Sequence, residues 1–234
     1  MLEIKDLNSY YGDAHILRGV NMVVPKGKVV ALLGRNGMGK TTLIRSIMGL
    51  APPRIAKGSI TYNGEELVNL SPHQIARKRI GFVPQGRRLF QSLTVSEHLT
   101  VFASSRPESP WSVKRVYDIF PRLYERKSNL GTQLSGGERQ MLAVARALMT
   151  DPELILMDEP TEGLAPVMVQ HLEGMIADLA STGLGILLVE QNLYSALSVA
   201  NEVYLMETGL IVHHCKADEL MSDKETMQRF LGVR

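Results

Sequence analysis

A glycine-rich stretch constrains the fold and chemistry of this chain more than any other feature: Gly34-Arg35-Asn36-Gly37-Met38-Gly39-Lys40-Thr41-Thr42. The apolar run 29–33 before it predicts a buried strand, and residues 43–48 after it predict a helix. A loop of the pattern Gly, four residues, Gly, Lys, Ser/Thr in that context predicts phosphate binding, because its glycines let several backbone N–H groups converge on phosphate oxygens. The alternative, a chance glycine-rich turn, is disfavoured by the flanking strand and helix.

Two side chains at the end of this loop predict the same chemistry. Lys40 supplies a mobile cation for the outer phosphates, and Thr41 offers a hydroxyl to Mg²⁺. The helix that begins here presents the positive end of its dipole, which also favours negative charge. All nine residues of the loop are therefore predicted to bind a nucleotide, and Thr41 is also predicted to be a metal ligand.

Composition narrows the class of protein. With 234 residues, 44% hydrophobic and 21% charged, the chain can bury a substantial core. A net charge of +2 gives no reason to expect nucleic acid or an anionic membrane surface as a partner. The one cysteine, Cys215, excludes an internal disulfide, and residues 1–6 lack the pattern of a signal peptide. No apolar run approaches the ~20 residues that span a bilayer, so work at a membrane would require docking on another chain.

The region 87–131 differs in character from its surroundings. Thr94 and Glu97 form a capping-box pattern that opens a helix, and residues 113–124 have apolar side chains at helical spacing. Short strands are predicted on both sides of this region. The expected organisation is one domain over 1–234, in which residues 1–86 and 132–234 form an α/β core and residues 87–131 form an inserted helical lobe.

Polar residues follow two of the predicted core strands. The apolar run 154–157 ends in Asp158 and Glu159, at the edge where α/β sheets bind ligands. Downstream of a phosphate-binding loop, this pattern predicts that Asp158 holds Mg²⁺ and that Glu159 acts as general base toward an attacking water. By itself, such a pair is often only a solvated turn. Gln85, after the run 80–83, has the reach for Mg²⁺ or the water, the alternative being an ordinary polar loop residue.

Two further features have a structural and a functional interpretation. Ser135-Gly136-Gly137-Glu138 forms a capping box at a predicted helix start, and its two glycines leave N–H groups open to a phosphate. Tyr11 could stack on an adenine ring, but from its chemistry alone a packed strand-end tyrosine is the favoured interpretation.

Taken together, these motifs resemble the ATP-binding subunits of ABC transporters in order and spacing over essentially the whole chain. The resemblance implies a P-loop NTPase core with a mainly parallel sheet, an N-terminal antiparallel β subdomain and an inserted helical subdomain. It implies ATP and Mg²⁺ as ligands, Tyr11 stacked on adenine and Gln85 sensing Mg²⁺ and coupling to a membrane partner. Residues 135–138 would close over the γ-phosphate of ATP held by a second subunit.

A closer resemblance is carried by the segments 84–88, 162–166 and 188–192, which are similar to the ATPases of branched-chain or hydrophobic amino-acid importers, with urea-importer ATPases close behind. Gln191 stands where most of the wider family has a histidine that contacts the γ-phosphate, and glutamine can donate a hydrogen bond but carries no charge. The resemblance implies a homodimer or a pair with a paralogue, permease subunits, an indirect link to a solute-binding protein, and a cytoplasmic location on the inner face of the membrane.

Three other functions fit the sequence less well. A non-transport ABC ATPase acting on DNA or ribosomes would carry a coiled-coil insertion or two tandem domains and a basic stripe. A small-molecule or nucleotide kinase would need an acceptor pocket and would not need residues 134–138. A structural adaptor with an inactive site is disfavoured because Lys40, Asp158 and Glu159 are all present.

Overall fold

The computed structural model describes residues 1–231, and the strands of this part of the chain form two sheets. The last three residues of the predicted core, 232–234, lie outside the described residues. The strands are β1 (Leu2–Tyr11), β2 (Ala14–Val24), β3 (Val29–Leu33), β4 (Arg54–Tyr62), β5 (Glu65–Glu66), β6 (Ile80–Val83), β7 (Leu154–Asp158), β8 (Gly185–Glu190), β9 (Glu202–Glu207) and β10 (Leu210–Lys216).

The helices lie between and after these strands. They are α1 (Lys40–Ile47), α2 (Pro72–Ala76), α3 (Val95–Val101), α4 (Val113–Ile119), α5 (Pro121–Glu125), α6 (Gly136–Met149), α7 (Pro166–Ser181), α8 (Leu193–Leu197), α9 (Ala217–Ser222) and α10 (Lys224–Leu231). Among residues 1–231, none of the helices combines the length and the apolar character that crossing a bilayer requires.

The larger sheet has the order β10-β9-β3-β8-β7-β6 and is parallel except for β10, which pairs antiparallel with β9. Its central strand β3 is buried along its whole length, as expected for a parallel strand covered on both faces. The carboxyl ends of β3, β7 and β8 therefore meet at one edge of this sheet. The smaller sheet, β2-β1-β4-β5, is antiparallel throughout. These two sheets confirm the predicted α/β class, with a mainly parallel core sheet and an N-terminal antiparallel sheet.

The larger sheet separates two hydrophobic cores. Successive side chains of a strand face opposite sides, so Val29, Ala31 and Leu33 enter one core and Val30 and Leu32 the other. The first core is covered by helices α3 to α9, and the second by α1 and the antiparallel sheet. Both faces of the sheet are therefore covered by apolar side chains. The polar groups lie at the edge where the carboxyl ends of the strands meet.

One local prediction was wrong in detail. The helix expected over 113–124 is interrupted at Phe120, where α4 ends and Pro121 begins α5, because proline has no N–H to donate to the preceding turn. Tyr11 is the last residue of β1, so it is a strand-end tyrosine.

The helices α3, α4 and α5 lie between β6 and β7 in the chain. The described segment that carries them contributes no strand to either sheet. Thr94 caps α3, as the capping-box pattern predicts: its Oγ1 accepts a hydrogen bond from the Glu97 N–H at 3.2 Å, and its own N–H donates to Glu97 Oε2 at 2.7 Å. That residues 87–131 form a separate lobe stays a prediction.

Candidate functional site

The glycine-rich loop lies where β3 ends and α1 begins, at the carboxyl edge of the larger sheet. Gly34 lies so close to the end of β9 that an added Cβ would be 2.5 Å from the Met206 carbonyl oxygen. Gly39, immediately before α1, has φ of 106°, which side chains with a Cβ rarely adopt. The Gly209 N–H donates to the Met38 carbonyl at 2.9 Å. The loop is therefore fixed from outside by the β9–β10 turn as well as by its own glycines.

Lys40 connects the loop to the end of β7. Its side chain is 3% exposed, and its Nζ donates to the carbonyl oxygens of Gly34 at 2.7 Å and Arg35 at 3.1 Å. The same Nζ forms an ion pair with Glu159 Oε1 at 3.2 Å. A buried ammonium group with oxygen acceptors on two elements is held at the centre of the site.

Thr41 and Asp158 form a second connection between the same two elements. The Thr41 hydroxyl donates to Asp158 Oδ1 at 3.3 Å. Burial raises the pKa of Asp158 from its ordinary value of 3.8 to about 6, an effect that the Thr41 hydroxyl partly offsets and the Glu159 carboxylate increases. A carboxylate and a hydroxyl oxygen are donors that suit Mg²⁺, which takes few protein ligands when it also binds phosphates.

The side chains of Glu159 and Gln85 are in direct hydrogen-bond contact. Glu159 has φ of 48°, an uncommon backbone conformation for a residue with a side chain, and its N–H donates to the Val189 carbonyl at 2.8 Å. Its Oε2 accepts from Gln85 Nε2 at 3.1 Å. The same Nε2 donates to Glu162 Oε2 at 3.0 Å.

A cleft of about 340 Å³ opens beside Lys40, Thr41 and Glu159. Its lining consists of Tyr11, Ile16, Asn36, Gly37, Gly39, Lys40, Thr41, Thr42, Gln85 and Glu159. Tyr10, the neighbour of Tyr11, stacks instead on His15 with ring centres 4.3 Å apart. A larger cleft, of about 550 Å³ between Tyr10, Arg45 and Arg54, contains none of the predicted site residues. The smaller cleft is the candidate site because the charged groups converge there.

The predicted residues 135–138 do not line this cleft. They form the start of α6, where Ser135 Oγ accepts from the Glu138 N–H at 3.2 Å and Glu138 Oε2 accepts from the Ser135 N–H at 2.8 Å. Ser135 is exposed, Gly136 is half-buried, and Gly137 is buried against Met168. Gln191 also lies apart from the lining, with an exposed side chain just after β8.

Three residues near the site were not identified from the sequence. Glu190, at the end of β8, is buried and accepts from the Thr161 N–H at 2.9 Å, and its burial raises the pKa of its carboxyl. An acid at the end of an apolar strand was the available signal, the same one that identified Asp158. Arg87 and Glu162 had no local signal, because they meet only in the folded chain, where Arg87 Nη2 donates to the Glu162 carbonyl at 2.7 Å.

A phosphate-binding loop facing a strand-end aspartate and glutamate on a mostly parallel sheet defines a P-loop NTPase. Within that class, residues 17–162 match the family model described as ABC transporter. The high-affinity branched-chain amino acid transport ATP-binding protein BraG of Pseudomonas aeruginosa is 42% identical, over 99% of this chain and 100% of its own. The lipopolysaccharide export system ATP-binding protein LptB of Haemophilus influenzae is 33% identical, over 99% of this chain and 97% of its own.

Solved structures agree with this assignment. The ADP conformation of MJ1267, an ATP-binding cassette of an ABC transporter, superposes with a TM-score of 0.82 at 25% identity, covering 100% of this chain and 99% of that one. The chain therefore belongs to the ABC transporter family. It is an ATP-hydrolysing, ATP-binding subunit of such a transporter.

Proposed function

We propose that this subunit energises an importer for branched-chain or other hydrophobic amino acids. The similarity to BraG at 42% identity over nearly the full length of both chains supports this solute class. Relatives named for lipopolysaccharide export share 33% of residues, so the ATPase chain alone carries little of the solute specificity. A urea or related small organic solute is the alternative. The chain would lie on the cytoplasmic face of the membrane, docked on permease subunits. A solute-binding protein would deliver the solute to those permease subunits.

ATP binds, in this proposal, in the cleft between Tyr11 and the glycine-rich loop. Tyr11 stacks on the adenine, and the N–H groups of residues 34–42 together with Lys40 hold the phosphates. The observation that carries the proposal is the double connection from the loop to β7, Lys40 to Glu159 and Thr41 to Asp158, because it sets a cation, a metal-binding pair and a base around one point.

The residues of the two subunits then have separate tasks. Thr41, Asp158 and Gln85 would hold Mg²⁺, which when bound neutralises charge on the phosphate oxygens. Glu159, which lines the cleft, accepts a proton from the attacking water. Residues 135–138 of a second subunit close over the γ-phosphate, and Gln191 adds a hydrogen-bond donor there. The second subunit is either another copy or a paralogue, and closure moves the predicted helical lobe against the permease.

Replacement of Glu159 by glutamine tests the catalytic part. The variant keeps the size of the side chain but removes the base, so ATP hydrolysis should fall by about 10²- to 10⁴-fold. ATP affinity should be retained, and the variant should accumulate an ATP-bound dimer visible by size-exclusion chromatography with light scattering. Glu108→Gln, at an exposed position, is the control. Hydrolysis at the wild-type rate in Glu159→Gln would rule out Glu159 as the base.

The solute class needs a separate experiment. A strain lacking this gene should lose uptake of radiolabelled leucine and recover it on complementation, whereas uptake of urea should not change. Loss of urea uptake with normal leucine uptake would favour the alternative.

A further inference from the structure

The side-chain amide of Gln85 is held between two carboxylates. Its Nε2 donates to Glu159 Oε2 at 3.1 Å and to Glu162 Oε2 at 3.0 Å. A glutamine amide has two N–H bonds and one carbonyl oxygen, so both donors are used and Oε1 is left as the acceptor. The reverse orientation would set Oε1 against two negatively charged groups. The pair of glutamates therefore fixes which end of the Gln85 amide faces which way.

Glu159 alone cannot hold the orientation of the Gln85 amide during the whole catalytic cycle. Its other carboxylate oxygen, Oε1, is paired with Lys40 Nζ at 3.2 Å. In the proposed mechanism the Glu159 carboxylate also has to engage the attacking water, which requires it to release other partners. Glu162 has no such task, so it is the acceptor that can hold Gln85 throughout.

The backbone of Glu162 is itself fixed at two points. Its N–H donates to the Glu159 carbonyl at 3.2 Å, which closes a tight turn directly after β7. Its carbonyl oxygen accepts from Arg87 Nη2 at 2.7 Å. The Arg87 guanidinium lies beside two glycines: a Cβ added to Gly136 or Gly163 would be 3.2 or 3.6 Å from its nitrogens. The absence of a side chain at Gly136 leaves room for the guanidinium, whereas the distance at Gly163 is that of an ordinary van der Waals contact.

We propose that Glu162 is a positioning residue, which orients the Gln85 amide so that Oε1 is offered to Mg²⁺, and that Arg87 holds Glu162 in place for this. The inference rests on the proposed function, because it assigns a metal-binding role to Gln85. It adds two residues to the site that act through Gln85 and do not touch the nucleotide themselves.

The test is ATP affinity, measured by titrating a fluorescent ATP analogue with Mg²⁺ and, separately, with EDTA. Glu162→Ala should weaken binding about tenfold in Mg²⁺, roughly the effect of one hydrogen bond to a charged group, and should leave binding in EDTA unchanged. Glu162→Gln should stay within about twofold of wild type, because its amide oxygen still accepts from Gln85. Glu108→Ala removes an exposed carboxylate elsewhere and is the matched control.

A double-variant cycle completes the design. If Glu162 acts through Gln85, Glu162→Ala should have no further effect on Mg²⁺-dependent affinity in a Gln85→Ala background. An equal loss in Mg²⁺ and in EDTA, an additive loss in the double variant, or wild-type affinity in Glu162→Ala would each overturn the inference. Absence of Mg²⁺-dependent ATP binding in the wild-type protein would instead overturn the proposed function, so the two failures are distinguishable.

Discussion

The two halves of the proposed ATP pocket differ in how far one chain completes them. In the loop half, the side chains of Lys40 and Glu159 are 3% and 9% exposed and pair with each other, and Thr41 pairs with Asp158. At the start of α6, Ser135 is exposed, and its hydroxyl and N–H are hydrogen-bonded to its own capping partner Glu138. The first half is assembled within the subunit, whereas residues 135–138 of the second do not line the cleft of their own chain. This contrast is what a pocket shared between two subunits requires.

The largest effect on ATP affinity should come from removing the cation of the loop half. Lys40→Ala deletes a buried ammonium group and leaves the Glu159 carboxylate without its ion-pair partner. ATP affinity should fall about 10- to 100-fold, the effect of one or two hydrogen bonds between charged groups. Isothermal titration with ATP measures this directly. Lys114→Ala, an exposed lysine on α4, is the control, and unchanged affinity in Lys40→Ala would remove the loop as the phosphate site.

The second half of the pocket should fail differently. Ser135→Asp keeps a good helix cap but puts a negative charge where the phosphate of a partner's ATP is proposed to lie. Hydrolysis should fall about tenfold or more because like charges meet in an interface, while ATP affinity of the dilute chain stays as in wild type. Steady-state ATPase assays over a range of protein concentrations measure this.

Ser135→Asn separates the added charge from the cap. Asparagine caps helices as well as aspartate does but is neutral, so this variant should hydrolyse ATP within a few-fold of wild type. If Ser135→Asp also hydrolyses ATP normally, no phosphate approaches the start of α6 and the shared pocket is wrong.

The features that the sequence could predict are those that depend on neighbouring residues. The loop, its strand β3 and its helix α1, the strand β7 and the caps of α3 and α6 all depend on residues a few positions apart, so local patterns identify them. The break at Phe120 also had a local signal, Pro121, but the prediction of this helix used the apolar spacing alone. Element boundaries were therefore less accurate than element types.

The remaining features depend on residues distant in the chain. Which tyrosine lines the cleft is decided by the phase of β1 and by the stacking of Tyr10 on His15. The contact of Arg87 with Glu162 joins residues 75 positions apart, and no spacing rule indicates it. The roles of Tyr11, Gln85 and Gln191 stay predictions, and of these three only Gln191 lies apart from the cleft lining.

A smaller effect, on stability, is expected from the buried acid of the loop half. The folded-state pKa of Asp158 is about 6 against an ordinary 3.8, so the folded chain binds its proton more tightly. Without Mg²⁺, this group stabilises the fold at low pH, and that contribution is lost as pH rises from about 4 to about 6. The loss is on the order of 2–3 kcal/mol, at 1.36 kcal/mol for each pKa unit.

Urea denaturation in EDTA at pH 4.5 and pH 7, for wild type and Asp158→Asn, measures this loss. Asparagine does not ionise, so the variant should be less sensitive to pH than wild type over this window, and it should be the more stable of the two at pH 7. Excess ATP with Mg²⁺ should stabilise wild type at pH 7 far more than the variant, because binding to the folded state alone adds stability. Parallel pH profiles for the two proteins would show that Asp158 is not the buried acid that titrates.

The smallest effect is the loss of stability on removing a helix cap, and it can be compared between α6 and an equivalent cap outside the pocket, at α3. Thr94 and Glu97 at α3 repeat the contacts of Ser135 and Glu138: hydroxyl to N–H at 3.2 Å in both, and carboxylate to N–H at 2.7 and 2.8 Å. Thr94→Ala should cost about 1 kcal/mol of unfolding free energy, and Thr94→Ser should restore most of it. Neither variant should change ATP affinity or hydrolysis.

Ser135→Ala should cost a similar amount of stability. Any additional loss of hydrolysis in that variant is then due to a lost contact with the nucleotide and not to the lost helix cap. If Thr94→Ala reduces hydrolysis as much as Ser135→Ala does, the start of α6 acts only as a helix cap, and the difference between the two halves disappears.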